Sequence, residues 1–212
     1  MKLKWWGHSC FLIEEDGKKV ITDPYDNSLP YQKVADKPDI VTISHDHFDH
    51  NAVDRIEGDF EIVDTKDGYK DDSLNISGIS TYHDKDEGED RGENLIFTME
   101  FSDQKLCHIG DLGHSLTDDE LSQLNDIDIL LIPVGGYYTI NADEAYEIAE
   151  KIDPKLIVPM HYKTDILDLP ITGVEDFIHK FDHDAIEIKD GAEVDLSEVP
   201  EDKKVVVVNY VH

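Results

Sequence analysis

Apolar residues in this chain fall into short blocks, many rich in valine and isoleucine, divided by polar stretches carrying glycine, asparagine and aspartate. β-Branched blocks of that length read as strands. The pattern predicts strands over residues 2–6, 11–13 and 20–22, with 14–18 turning the chain between the second and third. Further strands are expected at 40–43, 60–63, 74–82, 94–101, 105–109, 127–132, 156–159 and 205–210. Helices are marked by their openings. Thr117-x-x-Glu120, Asn141-x-x-Glu144 and Thr172-x-x-Glu175 each set a capping side chain three residues before a glutamate, the reciprocal arrangement that satisfies free amides in a first turn. They predict helices over 118–124, from 142 to 151 and from 173 to 181; a shorter one is expected over 51–57. Strands interspersed with helices predict an α/β fold. Nothing in the 212 residues suggests a linker between two cores, so one domain over 1–212 is expected.

The strand predicted at 40–43 leads straight into His45-Asp46-His47-Phe48-Asp49-His50. Regular structure could not aim all of these side chains at one point, because strand neighbours alternate between faces and adjacent helical residues diverge. A loop leaving a strand end can gather His45, His47, Asp49 and His50 around a common centre. Imidazole nitrogen with a few carboxylate oxygens suits zinc, manganese or iron better than calcium or magnesium. This loop is read as a metal site.

His45-x-His47-x-Asp49-His50 after an apolar strand resembles the signature of the metallo-β-lactamase superfamily, and the resemblance extends over nearly the whole chain. The opening Gly7-His8-Ser9-Cys10 is similar to that of a branch of small metal-dependent hydrolases. The resemblance implies a four-layer αββα sandwich, two mixed sheets with helices outside and metals at one edge. It also implies that His83, Asp111 and His161, each at the exit of a predicted strand, join the ligands. His45, His47 and His83 would hold one ion; Asp49, His50 and His161 would hold the other; Asp111 would bridge them. Seven candidates exceed what a single tetrahedral zinc takes. Two divalent ions are therefore expected, zinc first, with manganese or iron as alternatives. A bridging water would lose its proton near neutral pH and attack an ester, lactone or phosphodiester, with Asp49 handling protons. A metal-dependent sensor and a di-iron redox protein are the competing readings.

Other residues near these exits carry weaker signals. Asp23, at a strand end, would support a ligand histidine by the same resemblance, or simply form a turn before Pro24. His8 would lie near the site in support of it, or be a buried packing histidine. Arg91, one of only two arginines with Arg55, offers a fork of donors for an anionic substrate or a salt bridge to its acidic neighbours. Tyr137 and Lys163 are candidate substrate contacts, and His114 a candidate proton donor. His179 and His183 are read as surface or packing residues.

Charge narrows the partners. Asp and Glu number 49 against 19 Lys and Arg, a formal net charge of -30. Such a surface repels phosphate backbones and anionic bilayers, so a small-molecule substrate is expected, with no nucleic acid and no membrane; a homo-oligomer is compatible. The apolar fraction of 39% in clear blocks argues against disorder. The excess acid fits a chain adapted to high salt, where screening relieves self-repulsion. Cys10 and Cys107 are expected as buried, reduced thiols, which with no apolar leader after Met1 suggests a cytoplasmic protein.

Overall fold

The computed structural model describes all 212 residues, Met1–His212. Its frame is a pair of sheets facing each other across one continuous apolar core. The first sheet begins with β1 (Lys2–Gly7), β2 (Cys10–Glu15) and β3 (Lys18–Thr22), joined as antiparallel neighbours. Asp16 and Gly17 turn β2 into β3, both with positive φ, the two-residue geometry that matches strand twist in a hairpin. β4 (Ile40–Thr42) and β5 (Glu61–Val63) then add in parallel.

The second sheet opens with a meander of β6 (Tyr69–Lys70), β7 (Asn75–Tyr82), β8 (Glu93–Glu100) and β9 (Lys105–His108). β10 (Ile129–Pro133) and β11 (Leu156–Met160) continue it in parallel. Both are buried along their whole length, as strands covered on two faces must be. β12 (Ile186–Ile188) and β14 (Lys204–Val207) complete that sheet, while β13 (Glu193–Asp195) returns to pair with β1. The molecule is a sandwich of two mixed sheets, as expected, but only one helix exceeds two turns.

That helix is α2 (Ala142–Ile152), packed against β10 and opened by the anticipated Asn141–Glu144 capping box. Thr117 and Glu120 likewise cap α1 (Asp118–Leu121). The third box does not form. α3 (Glu175–Ile178) starts from Val174 without a side-chain cap. Thr172 lies too far upstream and instead gives its hydroxyl to the Gly135 carbonyl. The helix expected over 51–57 is only a 3₁₀ turn, Val53–Arg55, because Ile56 already leaves in the extended conformation. Cys10 and Cys107 are buried and free.

Candidate metal centre

β4, β7, β9 and β11 end at the same rim, and each is followed by a residue of one cluster. Ser44 to His50 leave β4, His83 leaves β7, Asp111 follows β9 and His161 follows β11. The β1–β2 turn brings His8 to the same place. Ligand-type atoms of His45, His47 and His83 lie within 4.8 Å of one another, and so do those of His8, His50, Asp111 and His161. The two groups meet at Asp111. Its Oδ2 is 3.2 Å from Nε2 of both His50 and His161, and 3.5 Å from Nε2 of His83 in the other group.

The approach of Asp111 is built into its backbone. Gly110 has φ of +63°, and a Cβ there would lie 2.3 Å from Asn94 Oδ1, so only glycine passes. Asn94 Oδ1 in turn accepts the Asp111 amide at 2.9 Å. Ser9 Oγ reaches the other carboxylate oxygen at 3.4 Å.

Asp23 sets the imidazole tautomers. It is fully buried, takes the Ser44 amide on Oδ1 at 2.7 Å and the Ser44 hydroxyl on Oδ2 at 2.6 Å, and lies 3.0 Å from His50 Nδ1. Nδ1–H of His50 therefore donates to the carboxylate. Ser44 Oγ, whose proton is committed to Asp23, accepts Nδ1–H of His45 at 2.9 Å. One carboxylate thus turns Nε2 lone pairs of two histidines, one from each group, toward the cluster. Both Nε2 atoms are buried; that of His45 has no hydrogen-bond partner, and that of His50 faces Asp111 Oδ2. Correctly oriented imidazole nitrogens beside a shared carboxylate fit divalent metal ligation.

Electrostatics agree with that fit at His45 and His83. Burial above all lowers the pKa of His45 to about 2 and of His83 to about 4, so both imidazoles are neutral, the form that binds metals. Burial also opposes charge on His50, yet the Asp111 and Asp23 carboxylates outweigh it and raise its pKa. Burial would raise the Asp49 carboxyl, but its contact with His8 and the proximity of His50 hold it below the ordinary range.

The cluster opens into a cavity of about 380 Å³ that His47, His83, Asp111 and His161 line. Leu29, Phe48 and Leu169 give it an apolar side. Arg91 also lines it; the guanidinium carbon sits 5.8 Å from the Tyr138 ring centre, and no ion pair within 4.0 Å involves Arg91. The salt bridge considered for it is absent.

Residues 2–161 match the sequence profile of the beta-lactamase superfamily domain. The chain belongs to that superfamily. A Pyrococcus furiosus protein is 31% identical over 182 residues, covering 77% of this chain and 84% of its own length. A metal-dependent hydrolase of Thermoplasma acidophilum is 29% identical over 191 residues, with the same coverage of both chains. Among solved structures, one from Thermotoga maritima, provisionally a Zn-dependent hydrolase of the metallo-β-lactamase superfamily, is 40% identical. It superposes with a TM-score of 0.82 over 98% of this chain and 97% of its own. Proteins named as metal-dependent hydrolases are thus similar to this chain over most of its length.

Several expectations need correction within that frame. Asp49 Oδ2 adjoins the His8, His50, Asp111 and His161 group, 3.3 Å from His8 Nε2 and 3.9 Å from His50 Nε2, and His8, expected only in support, stands among the ligand-type atoms. His114 is not at the cavity: Nε2 accepts the Tyr82 amide at 3.2 Å and Nδ1 faces the Ser115 carbonyl at 2.9 Å, leaving no free nitrogen. Tyr137 has φ of +63° and is 67% exposed, so it is Tyr138 that lines the cavity. Lys163 is exposed and its Nζ turns to the Leu169 carbonyl at 3.4 Å. His179 and His183 are exposed. Sequence reasoning passed over His108, fully buried at the end of β9. It accepts the Gly110 amide on Nδ1 and so donates Nε2–H to the Ser9 carbonyl at 3.0 Å, tying the β1–β2 turn to the Asp111 loop. Its signal was present: it too is a histidine at a strand exit. Ser9 and Ser44 adjoin residues already singled out, but hydroxyls carry no spacing signature.

Proposed function

We propose that this chain is a hydrolase with a binuclear metal centre, acting on a small anionic ester, lactone or phosphodiester. The observation that carries the reading is Asp111, whose one carboxylate oxygen faces imidazole nitrogens of both groups at 3.2–3.5 Å. His45, His47 and His83 would hold one ion; His50, His161 and Asp111, with His8 and Asp49 adjoining, would hold the second. When bound, such ions supply a water nucleophile at neutral pH and neutralise charge developing on the attacked group. The chain's own residues do the remainder. Asp23 and Ser44 fix which nitrogen of His50 and of His45 faces the cluster, and the proton that Asp111 and Asp23 favour on His50 is displaced when an ion binds. Asp49 Oδ2, at the edge of the cluster and held ionised, takes the proton of the nucleophilic water and returns it to the leaving group. Arg91 receives an anionic group of the substrate, and Leu29, Phe48 and Leu169 exclude water from its less polar part.

The test is metal content. A carboxylate between two cations offsets repulsion worth several kcal/mol at close range in a partly dry site. Asp111→Asn keeps shape and volume while removing that compensation. Dialysed wild type is expected to hold two ions per chain, and Asp111→Asn about one, with hydrolysis across an ester, lactone and phosphodiester panel falling by orders of magnitude. A wild type that holds a single ion, or an Asp111→Asn protein that holds two and turns over normally, would sink the two-ion reading.

A further inference from the structure

A second cavity, of about 660 Å³, also reaches the cluster; it shares His47 and Arg91 with the first and takes in His45. The two differ in character. Leu29, Phe48 and Leu169 line the first, whereas Leu95 is the one apolar residue of the second. The wall of the second carries charges of both signs. Asp64 and Lys66 come from the loop after β5, Arg91 and Glu93 from the entry to β8. Asp46, on the metal loop, is occupied by the Asn51 side chain.

The other four charges are unspent. No ion pair within 4.0 Å involves Asp64, Lys66, Arg91 or Glu93, although all line one cavity. With 49 acidic residues against 19 basic ones, a cation here has carboxylates to choose from: Lys18 holds Asp71 at 2.6 Å and Lys203 holds Glu150 at 2.7 Å. Backbone contacts fix the segments that bear Lys66 and Arg91. A Cβ on Gly78 would stand 2.7 Å from Lys66 Cα, so the glycine lets the loop lie directly on β7. Gly78 also gives its amide to the Lys66 carbonyl at 3.2 Å. The Arg91 amide is held by Asp84 at 2.8 Å, and Glu93 starts β8 opposite Tyr82. Held apart in this way, two cations and two carboxylates face the same open space.

Resting on the hydrolase reading above, we infer that the second cavity is a substrate subsite for a polar head group in which an oxyanion is flanked by hydrogen-bond donors. Lys66 and Arg91 take the oxyanion, Arg91 with its fork of N–H groups. Asp64 and Glu93 take the neighbouring ammonium or hydroxyl. The less polar remainder lies in the first cavity, so the substrate straddles His47 with its reacting bond beside the ligand groups. The carboxylates also set specificity, because they repel an anion that brings no donors of its own.

Three sulfonates of similar size test this, since a sulfonate is a weak ligand for divalent ions. Taurine carries an ammonium group, isethionate a hydroxyl and ethanesulfonate a methyl. Calorimetric titration of metal-loaded protein at low ionic strength gives Kd for each. Wild type is expected to bind taurine or isethionate about fivefold tighter than ethanesulfonate, the upper end for one solvent-facing ion pair. The tighter of the two identifies the donor. Lys66→Gln should weaken all three by a similar factor, whereas Asp64→Ala should weaken the donor-bearing pair and spare ethanesulfonate. Both side chains are exposed, so the fold is expected to survive, and circular dichroism melts check it. Ethanesulfonate bound as tightly as the other two, unchanged Kd values in Lys66→Gln, or a two-ion wild type that binds none of the three overturns the inference and leaves the hydrolase reading standing. Wild type that holds fewer than two ions ends both.

Discussion

Arg91 reaches the cavity because of a residue the sequence did not advertise. Asp84 opens the acidic loop after β7, and its carboxylate accepts the amides of Asp86, Gly88, Asp90 and Arg91 at 2.8–3.0 Å. What reads as a solvated run of like charge is thus a loop folded around one buried acid. Burial opposes ionisation of Asp84, but the four amides prevail and lower its pKa from 3.8 to about 2. Its contribution to stability is therefore complete above pH 3.8 and is lost as pH falls through about 2. The melting-temperature gap between wild type and Asp84→Asn should accordingly be constant near neutrality and close between those two values. Arg91→Ala should lower kcat/KM for an anionic substrate by about 1.5–3 kcal/mol, the size of a charge-assisted hydrogen bond; unchanged kinetics would remove Arg91 from the site. At this scale the metal-type residues were legible because they follow β-branched blocks. Which of Tyr137 and Tyr138 faces inward was not, since a single left-handed φ decides it. Nor could spacing reveal that both His114 nitrogens are taken by backbone.

Among the elements, the long strands were legible and the short edges were not. β7 and β8 run for eight residues each, whereas β6, β12 and β13 have two or three residues and little burial; the pairing of those short strands is fixed by neighbours, not by their own pattern. Capping boxes separated in the same way. Asn141 works because Glu144 returns to its amide at 3.0 Å and because an antiparallel bridge to Gly135 fixes where the helix begins. Thr172 has the same spacing but is held by Gly135, so it never becomes a cap. Asn141→Ala should cost about 1 kcal/mol, a fall of about 2–4 °C in melting temperature for a domain of this size. Since the bridge also closes the loop bearing Tyr138, a larger loss confined to KM would show that the cap serves the cavity as much as the helix.

For the molecule as a whole, the charge of -30 and the two-sheet architecture were accessible from the sequence, while the way the sheets are joined at the rim was not. Each ligand group draws on both sheets. His45 and His47 leave β4 of the first and His83 leaves β7 of the second; His8 and His50 come from the first, Asp111 and His161 from the second. An ion in either group is therefore a cross-link between the halves of the sandwich, closing sequence loops as long as that from His8 to His161 much as a disulfide would. Ions that bind the folded chain and not the unfolded one add about 4 kcal/mol at a free concentration a thousandfold above Kd. Chelation should thus lower the melting temperature by several degrees and speed amide exchange at the ends of β4, β7, β9 and β11 before the sheet interiors respond. A chelated protein whose rim exchanges no faster than the loaded one would show that the two sheets hold together there without help. Otherwise the proposed metal centre is also the rivet of the fold.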